Sequence, residues 1–360
     1  MTGKTEDRIG VFGGTFDPVH TGHLLFAEAA REQAGLSSVL FMPAHIQPFK
    51  QSEETLSDDD RYRMLRLATE GNPYFGVTTI EYDLGGVSYT IDSLRALQAE
   101  YKGARICFII GTDMFLNIGK WKEADVLISG FDFAVGTRPG YDSKAAAKTA
   151  EELEKMYGAR IVFINNPQIE VSSSEIRRRV SAGESIRYYV PESVRRYMLA
   201  LEKVGDKRFA HTKRVIDLAV DMARRFGENE EKAELAALLH DYCKDPAGGV
   251  ENDVNHGTMA AEAVYHDFNI RDIDILNAIR YHTTGRAGMS RLECIIFLAD
   301  TVEPGRTYDS IARLRETCLD DLKMGTYNVL VELRDYLVQK GLTVSADTEA
   351  AIKDLSGSKG

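Results

Sequence analysis

Two histidines, His20 and His23, flank Gly22 shortly after residues 8–12, a short apolar run that favours a β-strand. From Leu24 onward the residues favour a helix. The two imidazoles therefore border a predicted helix N-terminus, where free backbone N–H groups favour an anion and Gly22 leaves room for close approach. This spacing predicts a phosphate-binding site rather than an ordinary tight turn.

A second motif with the same chemistry lies farther along the chain, at Ser172-Ser173-Ser174-Glu175. Hydroxyls at a helix start and a glutamate three residues later are typical of a capping box, and Arg177 follows one turn into the helix. Capping alone would explain the serines. Together with the first motif, however, we expect Ser172, Ser173 and Arg177 to contact phosphate.

The longer string GGTFDPVHTGHL resembles the HxGH nucleotidylyltransferases, most closely the nicotinate-nucleotide adenylyltransferases, and the resemblance covers Arg8 to about Val204. It implies that a mononucleotide phosphate attacks the α-phosphorus of ATP, with Mg²⁺ assisting and pyrophosphate leaving. Such chemistry depends on positioned cations and hydrogen-bond donors. The resemblance implies catalytic roles for His20, His23 and Arg177, and nucleotide binding by Gly13, Gly14, Thr15 and Phe16.

The loop after the second predicted strand ends at Lys50. In the resembled family this loop ends in a Pro-Pro-His-Lys-like string. Here Lys50 matches, but Phe49 replaces the histidine and Gln47 replaces a proline. We expect Lys50 to contact the triphosphate, and a solvated surface lysine is the alternative.

Other segments resemble the parts of that family that bind nucleotide. Tyr89 and Thr90 match a nicotinate-recognising segment, although a plain helix cap would also explain them. Trp121 has the place of a tryptophan near the pyridine ring, and a core anchor is the equal alternative. Asp113 follows a buried strand and could accept from a ribose or an adenine amine, and Arg138 is placed to meet a phosphate or carboxylate.

The second half contains imidazoles and carboxylates on or beside apolar helical stretches, where such groups are costly to bury unless they bind something. The set has no thiolate, so hard to borderline divalent ions such as Fe²⁺, Mn²⁺, Co²⁺ or Zn²⁺ suit it. The candidate metal ligands are His211, His240, Asp241, His256, His282 and Asp300.

The strings LLHDYCKD, NHGTMAAEAV, AIRYHTTG and IIFLADTVEPGR resemble the HD-domain metal-dependent phosphohydrolases. Within these they resemble the family that splits diadenosine tetraphosphate symmetrically into two ADP. The resemblance implies that His211, His240, Asp241 and Asp300 are metal ligands. It also implies that His256 and His282 bind a second metal or phosphate. For Asp241, Lys244 and Arg306 it implies catalytic or charge-neutralising roles.

Alternating strand and helix patterns in the first half predict an α/β fold, a Rossmann-like doubly wound parallel sheet, with residues 75–83 as one alternating strand. After about Val204 no strand pattern follows and helical periodicity takes over. We therefore expect an all-α HD domain after the sheet, with domains at residues 1–204 and 205–360.

The 360-residue chain has a net charge of −11 and is 44% hydrophobic, which suits two globular domains. Neither half has a basic surplus, which argues against nucleic acid as a partner. Four cysteines lack a C-x-x-C spacing, and no apolar signal core or membrane span is present. We expect a cytoplasmic protein that binds ATP, nicotinate mononucleotide and diadenosine tetraphosphate or related nucleotides. Homo-oligomerisation stays open.

Two alternatives remain at this stage. The first half could transfer adenylyl groups to another mononucleotide or to pantetheine phosphate. The Ser88-Tyr89-Thr90 segment and Trp121 favour nicotinate mononucleotide as the acceptor, but Phe49 weakens the match to that family. The second half could be a non-enzymatic module that senses a nucleotide or forms a dimer. Six metal-type residues argue against a pure binding module.

Overall fold

The computed structural model describes residues 7–46, 55–136, 143–167, 169–244 and 252–357, without the side chains of 252–254. The chain divides into two compact units, Met1–Arg195 and Arg196–Gly360. The division falls inside one helical stretch, Glu192–Phe226, which Gly205 interrupts with non-helical backbone angles (φ 71°, ψ 160°).

The first unit contains a six-stranded parallel sheet, as the alternating pattern predicts. The apolar residues of its central strands are buried on both faces, which is typical of parallel sheets covered by helices. The spatial order is β3-β2-β1-β4-β5-β6. The strands are β1 (Arg8–Gly14), β2 (Ser38–Pro43), β3 (Phe75–Val77), β4 (Arg105–Gly111), β5 (Asp132–Gly136) and β6 (Arg160–Ile164).

Helices connect successive strands of this sheet, and Ile118–Lys120 forms a short 3-10 turn. The α-helices that lie wholly in the first unit are α1 (Thr21–Gln33), α2 (Asp58–Thr69), α3 (Ile80–Leu84), α4 (Thr90–Glu100), α5 (Thr112–Phe115), α6 (Ala124–Gly130), α7 (Ser143–Tyr157) and α8 (Ser173–Ser181).

The strand order reverses between β1 and β4, because the chain moves from β1 to β2 on one side and later returns to β4 on the other. The ends of the strands are in register: Gly14 pairs with Pro43, and Gly111 pairs with Gly136. In doubly wound sheets, ligands bind at this reversal, outside the carboxyl ends of the strands.

The expected strand over residues 75–83 is wrong in its second half. Only Phe75–Val77 pairs with β2, and the last bond to that strand runs from the Thr78 N–H to the Phe41 carbonyl at 2.9 Å. The chain then turns into α3, which buries the Glu81 side chain. Alternation of apolar and polar residues over so few positions suits a helical turn on an apolar surface as well as a strand.

The described part of the second unit, residues 196–244 and 252–357, consists of helices and their connections and contains no strand. The helical stretch shared with the first unit is α9 (Glu192–Phe226). The others are α10 (Glu230–Leu239), α11 (Asn252–Asp267), α12 (Ile273–Arg280), α13 (Arg291–Val302), α14 (Ile311–Asp320), α15 (Leu322–Gln339) and α16 (Ala346–Ser356).

Helix α13 forms the centre of the second unit. Residues 292–299 along it are all buried, and it packs against α10, α12, α14 and α15. A helix that is apolar nearly all round must be surrounded by other elements. Such a helix provides a rigid support for Asp300 near its end.

Among the residues that the structure describes, no helix combines the length and the apolar character needed to cross a bilayer.

Candidate functional sites

A cavity of 1180 Å³ lies at the carboxyl edge of the sheet. Most residues predicted to bind nucleotide or to act in catalysis in the first half line it, although they come from distant parts of the sequence. They are Gly13, Gly14, Thr15, Phe16, His20, His23, Tyr89, Thr90, Asp113, Trp121, Ser172, Ser173 and Arg177.

His20 and His23 begin helix α1. His20 is the N-cap residue, with extended backbone angles (φ −139°, ψ 169°). The two rings stack with centroids 3.6 Å apart, and the His20 backbone N–H donates to His23 Nδ1 at 3.3 Å. Both imidazoles are therefore held beside a helix N-terminus, where backbone N–H groups favour an anion.

The loop between β1 and α1 has little freedom around these rings. Phe16 adopts φ 51°, a left-handed value that is uncommon for a residue with a side chain, and its buried ring meets the His23 ring edge-on at 5.0 Å. A Cβ atom at Gly22 would lie 3.1 Å from His20 Nδ1. The glycine thus allows the imidazole to lie close against the helix backbone.

Helix α8 fastens the same loop. Ser172 caps the helix by accepting from a backbone N–H three residues later. Ser173 Oγ donates to the Pro18 carbonyl at 2.9 Å, and Arg177 donates to the Asp17 carbonyl at 2.6 Å. Ser173 and Arg177 therefore hold the loop that carries the histidines, and their contacts to phosphate stay a prediction.

Two buried charges beside this loop are not singled out by the sequence. Arg61 donates to the Thr15 carbonyl at 2.8 Å and forms an ion pair with Asp58. Asp17 is 1% exposed and lies 3.4 Å from Arg177. Burial raises the pKa of Asp17 above its usual value, and Arg177 opposes that rise only in part.

The other end of the cavity is aromatic. Tyr89 is the N-cap residue of α4, and Thr90 is the first residue of that helix. Trp121 lines the cavity and also packs edge-on against Phe108, with centroids 6.2 Å apart. Lys122 Nζ lies 4.5 Å from the centre of the Tyr89 ring. The indole is thus both a wall of the cavity and a neighbour of the core.

Lys50 and Arg138, the two remaining predicted contacts of the first half, lie outside the described residues.

In the second unit the structure brings together all six predicted metal ligands, which come from helices α9, α11 and α13 and from the turns after α10 and α12. In one group His211 Nε2 lies 3.0 Å from Asp300 Oδ1, and His240 Nε2 lies 4.0 Å from the same oxygen. The nitrogen and oxygen atoms of this group all lie within 4.8 Å of one another. Side chains so close together have the composition and spacing of a metal site.

Asp241 joins this group to the other imidazoles. Its Oδ2 lies 3.2 Å from His240 Nε2, and its Oδ1 lies 3.2 Å from His256 Nε2 and 3.7 Å from His282 Nε2. His256 and His282 are 2.9 Å apart through their Nε2 atoms. One carboxylate thus contacts both sets of residues that the sequence assigns to separate ions.

Guanidinium groups cover the two carboxylates. Arg208, which the sequence does not single out, pairs with Asp241 Oδ2. Arg306 donates to Asp300 Oδ1 at 2.9 Å. Lys244 follows in the turn after Asp241 and donates its backbone N–H to that residue's carbonyl at 2.8 Å.

Glu303 is a further buried acid that the sequence does not single out. Its carboxylate lies 3.1 Å from His211 Nδ1 and accepts from Arg214. Burial alone would raise the pKa of Glu303, but the hydrogen bonds from Arg214 and His211 lower it to about 2. A carboxylate on the second ring nitrogen fixes the orientation of a ligating imidazole.

The chemistry of this cluster fits a divalent ion. Burial lowers the pKa of His282, whereas the acids beside His240 outweigh its burial and raise the pKa of that ring. Burial is also outweighed at Asp241, chiefly by His240, so its pKa falls well below the usual range. His211 Nε2, His240 Nε2 and Asp241 Oδ1 are buried, and no described residue gives them a well-aligned hydrogen bond. Such atoms are what a metal would satisfy.

Comparison with known sequence families gives one match in each half. The cytidylyltransferase-like family matches residues 11–179, and the HD domain family matches residues 208–305. The first match spans the cavity with the two histidines, and the second spans the buried cluster.

Individual proteins are similar to one half of the chain or the other. A probable nicotinate-nucleotide adenylyltransferase from Thermoanaerobacter sp. (strain X514) is 41% identical over 196 residues, which are 54% of this chain and 93% of the relative. One from Symbiobacterium thermophilum is 40% identical over 53% of this chain and 92% of its own length. A crystal structure described as a predicted HD superfamily hydrolase involved in NAD metabolism, from Clostridium acetobutylicum, is 31% identical. Its match covers 46% of this chain and 96% of that chain, with a TM-score of 0.43.

Proposed function

We propose that this chain, which belongs to the nicotinate-nucleotide adenylyltransferase family and carries an HD domain farther along, is a bifunctional enzyme. Its first unit transfers the adenylyl group of ATP to nicotinate mononucleotide, giving nicotinate adenine dinucleotide and pyrophosphate. Its second unit hydrolyses diadenosine tetraphosphate symmetrically to ADP.

One observation carries the first half of the proposal: a single cavity is lined by two helix N-termini with anion-binding side chains and by an aromatic end. In the transfer, a phosphate oxygen of the mononucleotide bonds to the α-phosphorus of ATP, and the bond from that phosphorus to the bridging oxygen breaks. His20 and His23 donate hydrogen bonds to the charge that develops there. Arg177 would pair with the charge of the departing pyrophosphate and the Ser173 hydroxyl would donate a hydrogen bond to phosphate, and Mg²⁺ bound with ATP would supply further positive charge.

The aromatic end would hold the pyridine ring. The Trp121 face offers a stacking surface, and the Thr90 hydroxyl offers a donor to the ring's substituent. The acceptor specificity is supported by the named relatives and by this end of the cavity. Another mononucleotide remains the competing substrate.

For the second unit, the buried cluster carries the proposal. His211, His240, Asp241 and Asp300 would hold a divalent ion such as Fe²⁺, Mn²⁺, Co²⁺ or Zn²⁺, which when bound stabilises charge on phosphate oxygens and activates water. We assign His256 and His282 to a second ion or to phosphate. Arg306 and Lys244 are the cations that would pair with the flanking phosphates.

We place the boundary between the two activities at residues 204 and 205. The break in α9 at Gly205 supports this position. Because the backbone angles there are not helical, the segments before and after Gly205 are separate helices.

Paired single substitutions test both assignments in the full chain. His20→Ala should lower pyrophosphate release from ATP plus nicotinate mononucleotide by roughly 100-fold or more and leave hydrolysis of diadenosine tetraphosphate unchanged. Asp241→Asn should abolish hydrolysis of diadenosine tetraphosphate and leave pyrophosphate release unchanged. Each variant serves as the folding control for the other. Parental hydrolysis by the Asp241 variant would refute the metal assignment, and a substrate panel on both variants separates nicotinate mononucleotide from other acceptors.

A further inference from the structure

A buried acid, Glu81, lies beside the aromatic end of the cavity. Its side chain is 6% exposed, and it belongs to α3, the helical turn that follows the short edge strand β3. Glu81 borders the same cavity as Tyr89, Thr90 and Trp121. Nothing in the transfer chemistry described above uses this carboxyl group.

Glu81 receives a hydrogen bond from helix α4 and lies close to two further polar groups. The Ser93 hydroxyl in α4 donates to Glu81 Oε1 at 3.0 Å. The Ser88 side chain and the His45 backbone N–H both act to lower the pKa of the carboxyl group. Glu81 therefore lies where the loop after β2, the residues before α4 and the first turn of α4 meet.

The same polar groups fasten the backbone of residues 88–90. The Ser93 hydroxyl lies 3.3 Å from the Tyr89 carbonyl oxygen. Ser88 donates its backbone N–H to the Ile46 carbonyl at 2.9 Å, and its hydroxyl accepts from the His45 N–H at 3.2 Å. The Ser93 hydroxyl therefore connects the carboxyl group of Glu81 to a short segment that lines the cavity.

Burying an acid at this position costs free energy, and an apolar side chain at the same position would avoid that cost. Burial raises the pKa of Glu81, and the hydrogen bonds from Ser88 and Ser93 oppose that rise without cancelling it. The contacts that the carboxyl group makes therefore offset part of the cost of burying it.

We propose that Glu81 is a positioning residue for the pyridine end of the cavity, holding Ser88-Tyr89-Thr90 in the conformation that receives the mononucleotide. The inference rests on the proposed function of the first unit. It assigns Glu81 to the mononucleotide and not to ATP, because the loop near His20 is held separately by Arg61, Ser173 and Arg177.

The sole tryptophan of the chain, Trp121, gives a direct test because it lines this end of the cavity. Nicotinate mononucleotide is titrated into the full-length protein and Trp121 fluorescence gives Kd, while KM is measured for both substrates. Glu81→Ala should raise Kd and KM for the mononucleotide about tenfold and leave KM for ATP within about twofold. Glu81→Gln keeps an acceptor for Ser93 and should stay within about threefold of the parent.

Ser93→Ala provides a second variant if Glu81→Ala fails to fold. Ser93 is buried and removing its hydroxyl releases both Glu81 and the Tyr89 carbonyl, so Kd for the mononucleotide should rise about threefold. A parental Kd in this variant would contradict the proposal, as would a Glu81→Gln variant that binds as weakly as Glu81→Ala.

Asp132→Asn is the matched control, because Asp132 is also a buried acid of this unit but lies at the amino end of β5, paired with Arg8 and Arg105. It should lower the unfolding midpoint without changing Kd. If Glu81→Ala loses stability but keeps the parental Kd for the mononucleotide, Glu81 has only a structural role and the inference is overturned. No saturable change in the parent's fluorescence would instead refute the proposed function itself.

Discussion

Asp17 in the first unit and Asp241 in the second are equally buried, each 1% exposed, but their pKa values move in opposite directions. Burial raises the pKa of Asp17, and the positive charges of Arg177, 3.4 Å away, and of Arg61 oppose that rise without cancelling it. Burial acts on Asp241 too, but His240 and the other imidazoles outweigh it and the pKa falls.

The difference follows from how each region is built. The first site consists largely of loop backbone and helix N-termini around an open cavity, so most of the charge it handles arrives with the ligand. The second site assembles its own charges in a buried cluster of imidazoles, carboxylates and guanidinium groups. We therefore expect the stability of the second unit to depend on its site residues, and that of the first unit to depend on them much less.

The largest effect should come from removing the two acids. Asp241→Ala leaves His240, His256 and Arg208 buried or half-buried around a missing carboxylate, and should cost about 3–5 kcal/mol in the free energy of unfolding. Asp17→Ala should cost about 1 kcal/mol or less, because burial already disfavours its charged form. Calorimetry of the full chain measures both. Equal losses would show that the two sites do not differ in this way.

Metal binding should have the second largest effect on the free energy of unfolding. Protein stripped with a chelator and then given Mn²⁺ at about 100 times its Kd should gain about 2.7 kcal/mol in the unfolding of the second unit. Asp300→Asn should remove most of that gain. Trp121 fluorescence, which reports on the first unit, should not change. A gain that survives in Asp300→Asn would place the ion elsewhere in the chain.

The sequence predicted the elements that are local. His20 and His23 lie three residues apart, and Ser172, Ser173 and Arg177 share one helix start, so each motif is complete within a short stretch of chain. The parallel sheet followed by helices is confirmed, and its central strands are short apolar runs that are recognisable in the sequence. Helices and strands with strong local patterns can be predicted without knowledge of tertiary contacts.

The residues that the sequence did not reveal act across long separations. Arg61 reaches Thr15, Glu303 reaches His211, and Arg208 reaches Asp241, contacts that no local pattern encodes. The strand prediction for residues 78–83 was wrong for a related reason. Whether a short alternating stretch pairs in a sheet depends on the neighbouring strand. The assignment of metal ligands to one or two ions likewise stays a prediction.

Arg61 offers a milder test of how the first site is held. Its buried guanidinium supports the Thr15 carbonyl, and Arg61→Met should lower kcat/KM for adenylyl transfer about tenfold by loosening the loop. Arg63→Met is the matched control, because Arg63 lies on the same helix and pairs with Asp59. It should have little effect. A similar loss in both variants would attribute the effect to helix α2 as a whole.

The smallest effect should come from Asp17→Asn, which keeps an acceptor for the Leu56 N–H but removes the charge. Since the folded pKa of Asp17 lies above its usual value of 3.8, its contribution to stability is fully present below that value and is lost as pH rises through the folded pKa. The variant has no such loss, so its unfolding midpoint relative to the parent should rise between pH 3 and pH 7. Thermal unfolding at both pH values measures this difference. A relative midpoint that falls with pH would mean that Arg177 dominates over burial, and the contrast between Asp17 and Asp241 would disappear.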